Sequence, residues 1–424
     1  MADNGSTASR GPAFGTGIVV LLALMTFANY VDRGNLATAG PLMKDEFHLS
    51  ASRFGLLLSV FSWTYVPAQI LAGWLSEKFN PYRTLALGLT VWSLATMLTG
   101  LAGGFATLLV LRLLLGLGES VAFPCSSKII AQYLPAHRLG FANGMVAVGL
   151  SLGPAVGTFA GGMLMAKLGW RPVFFLFGAL PLLLLWPWFA ATRHLAVSER
   201  AAPPVAAPAF SLILRQREVR GAGLGHFSHN YALFFVISWL PLYLVKSRGF
   251  TVPQMAQIGG LIYLIYAASS LSTGWLTDRW MAAGASATRA RKTMVVTGHS
   301  LIACAMLGCM LAGTAGVIVS LCVAGIGLGC NSPQLFAIGQ TLAGPRAAGK
   351  WIGVQNALGN SAGIVGPIIT GVLVDRTGNF IWAFAVAGLV ALTGVVSWGV
   401  IIPRVAPIDW AARTPPRTVG VATA

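Results

Sequence analysis

Apolar residues run along this chain in long, nearly unbroken stretches, without the strict alternation of a half-buried strand. The windows centre near residues 17–41, 54–76, 83–103, 106–132, 139–166, 171–190, 221–245, 254–277, 293–313, 315–342, 350–374 and 379–402. A helix needs about 20 apolar residues to cross a hydrocarbon layer roughly 30 Å thick, and these windows suit that length. The pattern therefore predicts an all-α membrane protein with twelve transmembrane helices. The longest polar interruption, 191–220, carries Pro203, Pro204 and Pro208 with Arg193, Arg200, Arg215, Arg217 and Arg220. It divides the chain into an N-terminal six-helix bundle (1–190), a cytoplasmic linker (191–220), a C-terminal six-helix bundle (221–402) and a cytoplasmic tail (403–424).

The two halves repeat one another. Gly73-Trp74-Leu75-Ser76-Glu77-Lys78 closes the second window, and Gly274-Trp275-Leu276-Thr277-Asp278-Arg279 closes the eighth. Gly116-Leu117-Gly118 in the fourth is mirrored by Gly327-Leu328-Gly329 in the tenth, and Gly162 to Gly169 by Gly371 to Gly378. Parallel repeats of six spans imply two pseudo-symmetric bundles about an axis along the membrane normal, with a binding site between them near the midplane.

Composition agrees. The chain is 56% hydrophobic and 9% charged, too few charges to cover a water-facing surface. A net charge of +17 raises the possibility of nucleic-acid binding, but the basic residues lie between apolar runs and form no compact patch. With the N-terminus inside, only Lys44, Arg53, Lys167, Arg171, Lys246, Arg248 and Arg376 of the 28 basic residues fall in outside loops. Arg33, Arg112 and Lys128 fall within spans, and the rest lie inside. This bias predicts both termini in the cytoplasm. Arg10 ahead of a long apolar run, with no cleavage site of the usual kind, predicts an uncleaved first span. Cys125, Cys304, Cys309, Cys322 and Cys330 lack metal-site spacing and read as packing residues. No phosphate-cradling loop or other catalytic signature is evident, so neither enzyme chemistry, a cofactor, a metal nor direct ATP drive is expected.

Four ionisable groups lie deep in the first and fourth windows: Asp32, Arg33, Arg112 and Glu119. Each costs several kcal/mol there unless paired or hydrated. Arg112 and Glu119 are seven apart and share a helix face two turns apart. Asp32 and Arg33 are adjacent and must point different ways, one to the cavity and one to a neighbouring helix. A carboxylate in an apolar wall can exchange protons, and an arginine can hold a carboxylate by two parallel hydrogen bonds. The alternative is a static, neutral ion-pair network that fixes packing, at a cost relative to apolar residues.

The motif Gly73-x3-Glu77-Lys78-x4-Arg83 resembles the loop signature of the major facilitator superfamily. Asn29-Tyr30-Val31-Asp32-Arg33-x-Asn35 and Arg112-x3-Gly116-x-Gly118-Glu119-x3-Phe123-Pro124 resemble its anion:cation symporter family. That family includes hexuronate, galactonate and glucarate permeases and sialin-like carriers. The likeness covers about residues 17–402 and implies the major facilitator fold. Gly73, Glu77, Lys78 and Arg83, with Asp278 and Arg279 in the second half, would form paired charged latches. Each acid would accept from helix N-terminal amides and basic residues across an inner gate. The bland reading of the same residues is solvated, topology-setting charge.

By the same resemblance Arg33 would bind the substrate carboxylate, and Asp32 and Glu119 would carry protons. Arg112 would pair with Glu119 and respond to its protonation. Tyr30, three residues before Arg33, and Tyr65 would face the cavity. In the second half His229, Asn230 and Tyr231 of the seventh span, and Gln355, Asn356 and Asn360 of the eleventh, are candidate substrate contacts. Neutral amides suit hydroxyls, although they also glue helices together. Leu150 departs from the glutamine of galactonate-type members and leaves room for a less polar acid.

These readings imply a monomeric, multi-pass carrier in a bacterial inner (plasma) membrane. It would import a small organic anion, most simply a hexuronate or hexonate sugar acid, together with protons by alternating access. The alternatives are an electroneutral anion exchanger or exporter, and an importer of an aromatic or dicarboxylic acid. A membrane receptor without transport is disfavoured by the short tails.

Overall fold

The computed structural model describes residues 12–48, 51–201 and 208–410. Arg10, Pro203, Pro204 and the last 14 positions of the proposed tail lie outside the described residues. Within them the chain forms twelve helical rods and no strand. The first three are Pro12–Glu46, Ala51–Lys78 and Pro81–Thr99. The fourth is broken into Phe105–Glu119 and Ala122–Tyr133, and the fifth is Leu139–Leu168. The sixth combines Trp170–Leu182 with Leu185–Ala201. A short helix, Phe210–Leu214, precedes the seventh, Arg217–Leu242. The eighth to tenth are Val252–Ala282, Ala287–Leu311 and Thr314–Ala343. The eleventh combines Ala348–Asn360 with Ala362–Thr377, and the twelfth begins as Ile381–Val396.

Eight of these runs are long and apolar enough, by length and composition, to cross a membrane. Polar residues dilute the seventh and eighth rods: His226, Ser228, His229 and Asn230 in one, and Ser269, Ser270, Thr273 and Thr277 in the other. Most of these side chains are buried against other helices.

Local chemistry sets the rod ends. Asn80 accepts from the amides of Tyr82 and Arg83 ahead of the third rod, with Pro81 in its first turn. Thr251 and Gln254 form a reciprocal capping box before the eighth. Gly169 and Gly378, the matched glycines of the repeat, both adopt positive φ (78° and 70°). A side chain would be strained there, so glycine is what lets the fifth and eleventh rods turn into the next. The break in the fourth rod follows from Pro124. It offers no N–H to the carbonyl of Ser120, and helical bonding lapses at residues 120–121.

Packing repeats with the sequence. The first rod lies on the fifth as the seventh lies on the eleventh, and the third on the fourth and sixth as the ninth on the tenth and twelfth. The halves meet along two equivalent seams, second against eleventh and fifth against eighth. Both are made by glycine. A Cβ added at Gly274 would lie 2.4 Å from the Gly140 carbonyl oxygen, and one at Gly73 would lie 2.8 Å from that of Gly349. Helices approach this closely only where side chains are absent.

At the opposite end of the bundle Arg171 clamps three segments. Its guanidinium lies 2.5 Å from Glu46 and donates to the carbonyls of Gly100 (3.0 Å) and Ala102 (2.9 Å), while Trp170 Nε1 donates to Glu46 at 2.6 Å. Glu46 lies beyond the apolar window of its helix. The hydrogen bond from Arg171, followed by that from Trp170, holds its carboxyl below the ordinary value of 4.5. A lowered carboxyl pKa contributes stability that is complete above the ordinary value and is lost as pH falls through the lowered one. Glu46→Gln is therefore expected to flatten the acid-side decline of the thermal midpoint below about pH 4.5. A decline as steep as in the parent protein would exclude this clamp as a source of acid sensitivity.

Candidate functional site

The site begins with two adjacent residues on the first rod. Successive helical side chains diverge by about 100°, so Asp32 and Arg33 leave in different directions. Asp32 turns to the third rod, where Thr96 Oγ1 donates to its Oδ2 at 2.9 Å. Arg33 reaches the interior of the bundle, and its Nη2 lies 3.0 Å from Glu119 Oε2 on the fourth rod. Glu119 is fully buried, whereas the Arg33 side chain keeps 19% of its surface exposed. The pair sits at the last residue before the Pro124 break.

Three aromatic rings surround the Arg33 guanidinium: Tyr30 at 4.6 Å, Phe61 at 4.8 Å and Tyr65 at 4.7 Å. Rings stabilise the cation by cation–π attraction and restrict its rotation. Arg112 behaves differently from the expectation. Among the described residues Glu119 pairs with Arg33, not with Arg112, whose guanidinium lies 5.2 Å from the other neighbour of this cage, Phe61. The physical reason is distance along the axis. Seven residues span about 10.5 Å, and Arg33 approaches Glu119 laterally from another helix. Arg112 Nε is buried without a hydrogen-bond partner.

From the second half, His229, Asn230, Tyr231, Gln355 and Asn356 are buried, and Asn360 is partly so. Asn230 donates to Asn360 at 3.4 Å, and Asn360 donates to the Asn356 carbonyl at 3.0 Å. Both polar side-chain atoms of Asn356, and Nδ1 of His229, are buried with no hydrogen-bond partner. Such groups are costly when left so, which makes them natural contacts for a polar ligand. Gln355 is already engaged: Trp351 Nε1 donates to it at 3.1 Å and it donates to the Leu335 carbonyl at 3.0 Å. Tyr231 packs beside Phe227 and against Gly366, one helix face away from His229.

The halves are joined beneath this site by aromatic faces. Phe123 and Phe336 stack with centroids 5.1 Å apart and planes 7° from parallel. Tyr30 meets Phe123 edge-on at 6.3 Å, and His226 meets Phe336 at 5.6 Å. His226 also lies 6.4 Å from His229. A continuous set of rings therefore runs from the Arg33 cage to the second-half histidines. Phe123 lies within the motif of the fourth span, but nothing in the sequence marks Phe336.

The two acids expected to form latches, Glu77 and Asp278, lie at the same end of the bundle, each against a helix of the opposite half. Glu77 accepts from the amide of Gly349 at 2.8 Å, in the first turn of the eleventh rod, and from Lys128 Nζ. Asp278 accepts from the amides of Gly140 (3.0 Å) and Phe141 (2.6 Å), in the first turn of the fifth, and lies 3.5 Å from Arg291. Helix N-termini present unpaired amides and the positive end of the dipole, so each carboxylate completes a helix of the opposite half. The basic partners are Lys128 and Arg291, not Lys78, Arg83 or Arg279. Those three are exposed; Lys78 lies over the Trp74 ring at 4.4 Å and Arg279 over Trp275 at 5.2 Å. Lys128 also donates to the Pro345 carbonyl across the seam at 2.6 Å.

The model of the Major Facilitator Superfamily matches residues 22–367. The chain belongs to the Major Facilitator Superfamily. Among curated relatives in this superfamily, it is 31% identical over 398 residues to the "Probable sulfoacetate transporter SauU" of Cupriavidus necator, covering 89% of this chain and 91% of that protein. It is 29% identical over 388 residues to the "Hexuronate transporter" of Bacillus subtilis, covering 88% and 92%. The crystal structure of the superfamily transporter FucP in the outward conformation superposes with a TM-score of 0.69 at 17% identity, covering 91% of this chain and 98% of that one. The superfamily member described here is thus a multi-pass membrane transporter and not an enzyme, and its relatives carry small organic anions.

Proposed function

We propose that this protein is a proton-coupled symporter that imports a small organic anion by alternating access of its two halves, 1–190 and 221–402. The observation that carries the reading is the Arg33–Glu119 pair at 3.0 Å inside an aromatic cage. An ionised Glu119 occupies the guanidinium. Protonation releases it, and a substrate carboxylate takes the fork by two charge-assisted hydrogen bonds. Binding of proton and anion are then linked, each favouring the other. Asp32, held by Thr96, carries a second proton. Asn230, Asn356, Asn360 and His229 contact the far end of the substrate, with Tyr30 and Tyr65 around the carboxylate. The latch end is cytoplasmic, the membrane is a bacterial inner membrane, and the unit is a monomer.

A sugar acid is the first substrate class, as for the hexuronate relative. One observation favours a second. Arg112 is not consumed by Glu119, so two guanidinium groups flank Phe61, and Leu150 adds no hydrogen-bonding group. This suits a short dianion such as a dicarboxylate or a sulfonated carboxylate, the class to which sulfoacetate belongs.

Uptake into proteoliposomes with and without an imposed pH gradient tests the coupling. Gradient-driven accumulation is expected, and equal uptake without it would favour an electroneutral exchanger. Thermal shift against sugar acids, dicarboxylates, sulfonates and aromatic acids tests the class, because a specific ligand stabilises the fold by mass action. Arg33→Lys keeps the charge but loses the planar fork and is expected to weaken binding of the stabilising acid roughly 100-fold. An unchanged affinity would remove Arg33 from the binding site.

A further inference from the structure

A cavity of about 580 Å³ opens between the first, fifth and eighth rods at the latch end, apart from the Arg33 site. Its walls are Val19, Val20, Phe141, Met145 and Trp275. Trp275, Val20 and Phe141 keep 49%, 38% and 38% of their surfaces exposed, so the crevice faces outward from the bundle. Its rim carries His137, Arg138 and Arg279. Neither arginine forms an ion pair with a described acidic residue. The acid in the wall, Asp278, already serves the amides of Gly140 and Phe141 and the Arg291 guanidinium. Apolar walls under an uncompensated basic rim match an amphiphile with an anionic head.

We propose that this crevice binds an anionic phospholipid, with the phosphate between Arg138 and Arg279 and an acyl chain along Phe141, Met145 and Trp275, and that the bound lipid favours the closed latch. A free anion finds no match for the apolar walls, whereas basic pockets between membrane helices on one leaflet suit lipid headgroups. Trp275 is placed as an amphipathic ring at a headgroup boundary, with Arg279 over its face. The linkage to the latch follows from who builds the walls. Arg138 and Phe141 belong to the first half, and Trp275 and Arg279 to the second. These surfaces adjoin only while Gly140 and Gly274 touch, so a ligand of the crevice binds the closed state better and shifts the population toward it. Lipid binding does not depend on the substrate or proton assignments; only the linkage rests on alternating access.

The test is native mass spectrometry of the full chain released from mixed vesicles of phosphatidylcholine and phosphatidylglycerol. Preferential retention of phosphatidylglycerol is expected. Arg138→Gln with Arg279→Gln should lower that preference roughly tenfold or more, while Arg289→Gln, an exposed arginine outside the crevice, should not. Equal retention of both lipids, or equal loss in the Arg289 variant, overturns the site. Competition by inorganic phosphate at equal concentration would mark a free-anion site and also overturn it. Spin-label distances across the latch end should shorten on adding phosphatidylglycerol in the parent and not in the double variant. Retention without that shortening keeps the lipid site and overturns the linkage.

Discussion

Glu119→Gln is expected to abolish proton-driven accumulation while sparing counterflow exchange. Glutamine preserves the shape of the carboxyl but cannot take or release a proton. Glu119 is the described residue that pairs with Arg33, and it is fully buried, so solvent cannot substitute for it. With an amide there, Arg33 is permanently available to the substrate, as it is beside a protonated acid. Binding should persist and lose the pH dependence that Glu119 supplies, since the titrating carboxylate that competes with the substrate for Arg33 is gone. Accumulation under an imposed gradient should fall toward a ratio of about one, the value for a carrier that equilibrates its substrate, because the proton proposed for Asp32 is held at Thr96, apart from the Arg33 fork. Counterflow needs only binding and reorientation of the loaded carrier. Gradient-driven accumulation that survives in the glutamine variant would refute the coupling role and return the pair to a packing function. Loss of both activities with an intact thermal midpoint would mean that Arg33 needs the negative partner to hold its place in the cage.

The second large effect comes from a single methyl group. Gly274→Ala places a Cβ 2.4 Å from the Gly140 carbonyl oxygen and 2.9 Å from its carbon. Both atoms are backbone, so no rotamer change relieves the overlap. Ordinary contact begins at 3.4 Å, and the fifth and eighth rods must part by about 1 Å. That displacement stretches the bonds from Gly140 and Phe141 to Asp278, now 3.0 and 2.6 Å, toward the edge of hydrogen-bonding range. A hydrogen bond to a charged group contributes about 1.5–3 kcal/mol, so losing two shifts the closed–open balance by roughly 100-fold or more. Uptake should fall at least about tenfold, and spin labels across the latch end should report a wider separation. Gly313→Ala, where the added methyl meets nothing within 4 Å, is the matched control and should transport normally. Normal closure in the Gly274 variant would mean that the seam is softer than its backbone contacts imply.

Much of this architecture could be read from residue order because it rests on local rules. Apolar run length marks rods, and the paired turn glycines Gly169 and Gly378 occupy the positive-φ positions that only a repeat at matching spacing would place alike. Glu77 and Asp278 belong to that repeat, and each lies at an N-terminus of the other half. Their basic partners do not repeat: Lys128 is matched 211 residues later, in the register of Gly116 and Gly327, by Gly339, so internal symmetry gave no signal for it. The choice of Arg33 over Arg112 as the partner of Glu119 was likewise beyond sequence reasoning. Spacing along one helix fixes which residues share a face, but it is silent on which side chain arrives from a neighbouring helix. Phe336 has no local signature at all; its stacking on Phe123 exists only once the halves are packed. The seventh and eighth rods were legible as apolar windows despite His226, His229, Asn230, Ser270 and Thr277, polar side chains that are buried against other helices.

The seams of glycine on glycine have an entropic consequence. Surfaces that meet through main-chain atoms immobilise hardly any rotatable bonds, whereas ordering a long side chain costs up to about 2 kcal/mol. On the proposed alternating-access cycle, zipping and unzipping the two lobes there would carry little configurational penalty, with two carboxylates supplying directional grip. Lobes built this way would be held shut by contacts that need not search for one another each time they close.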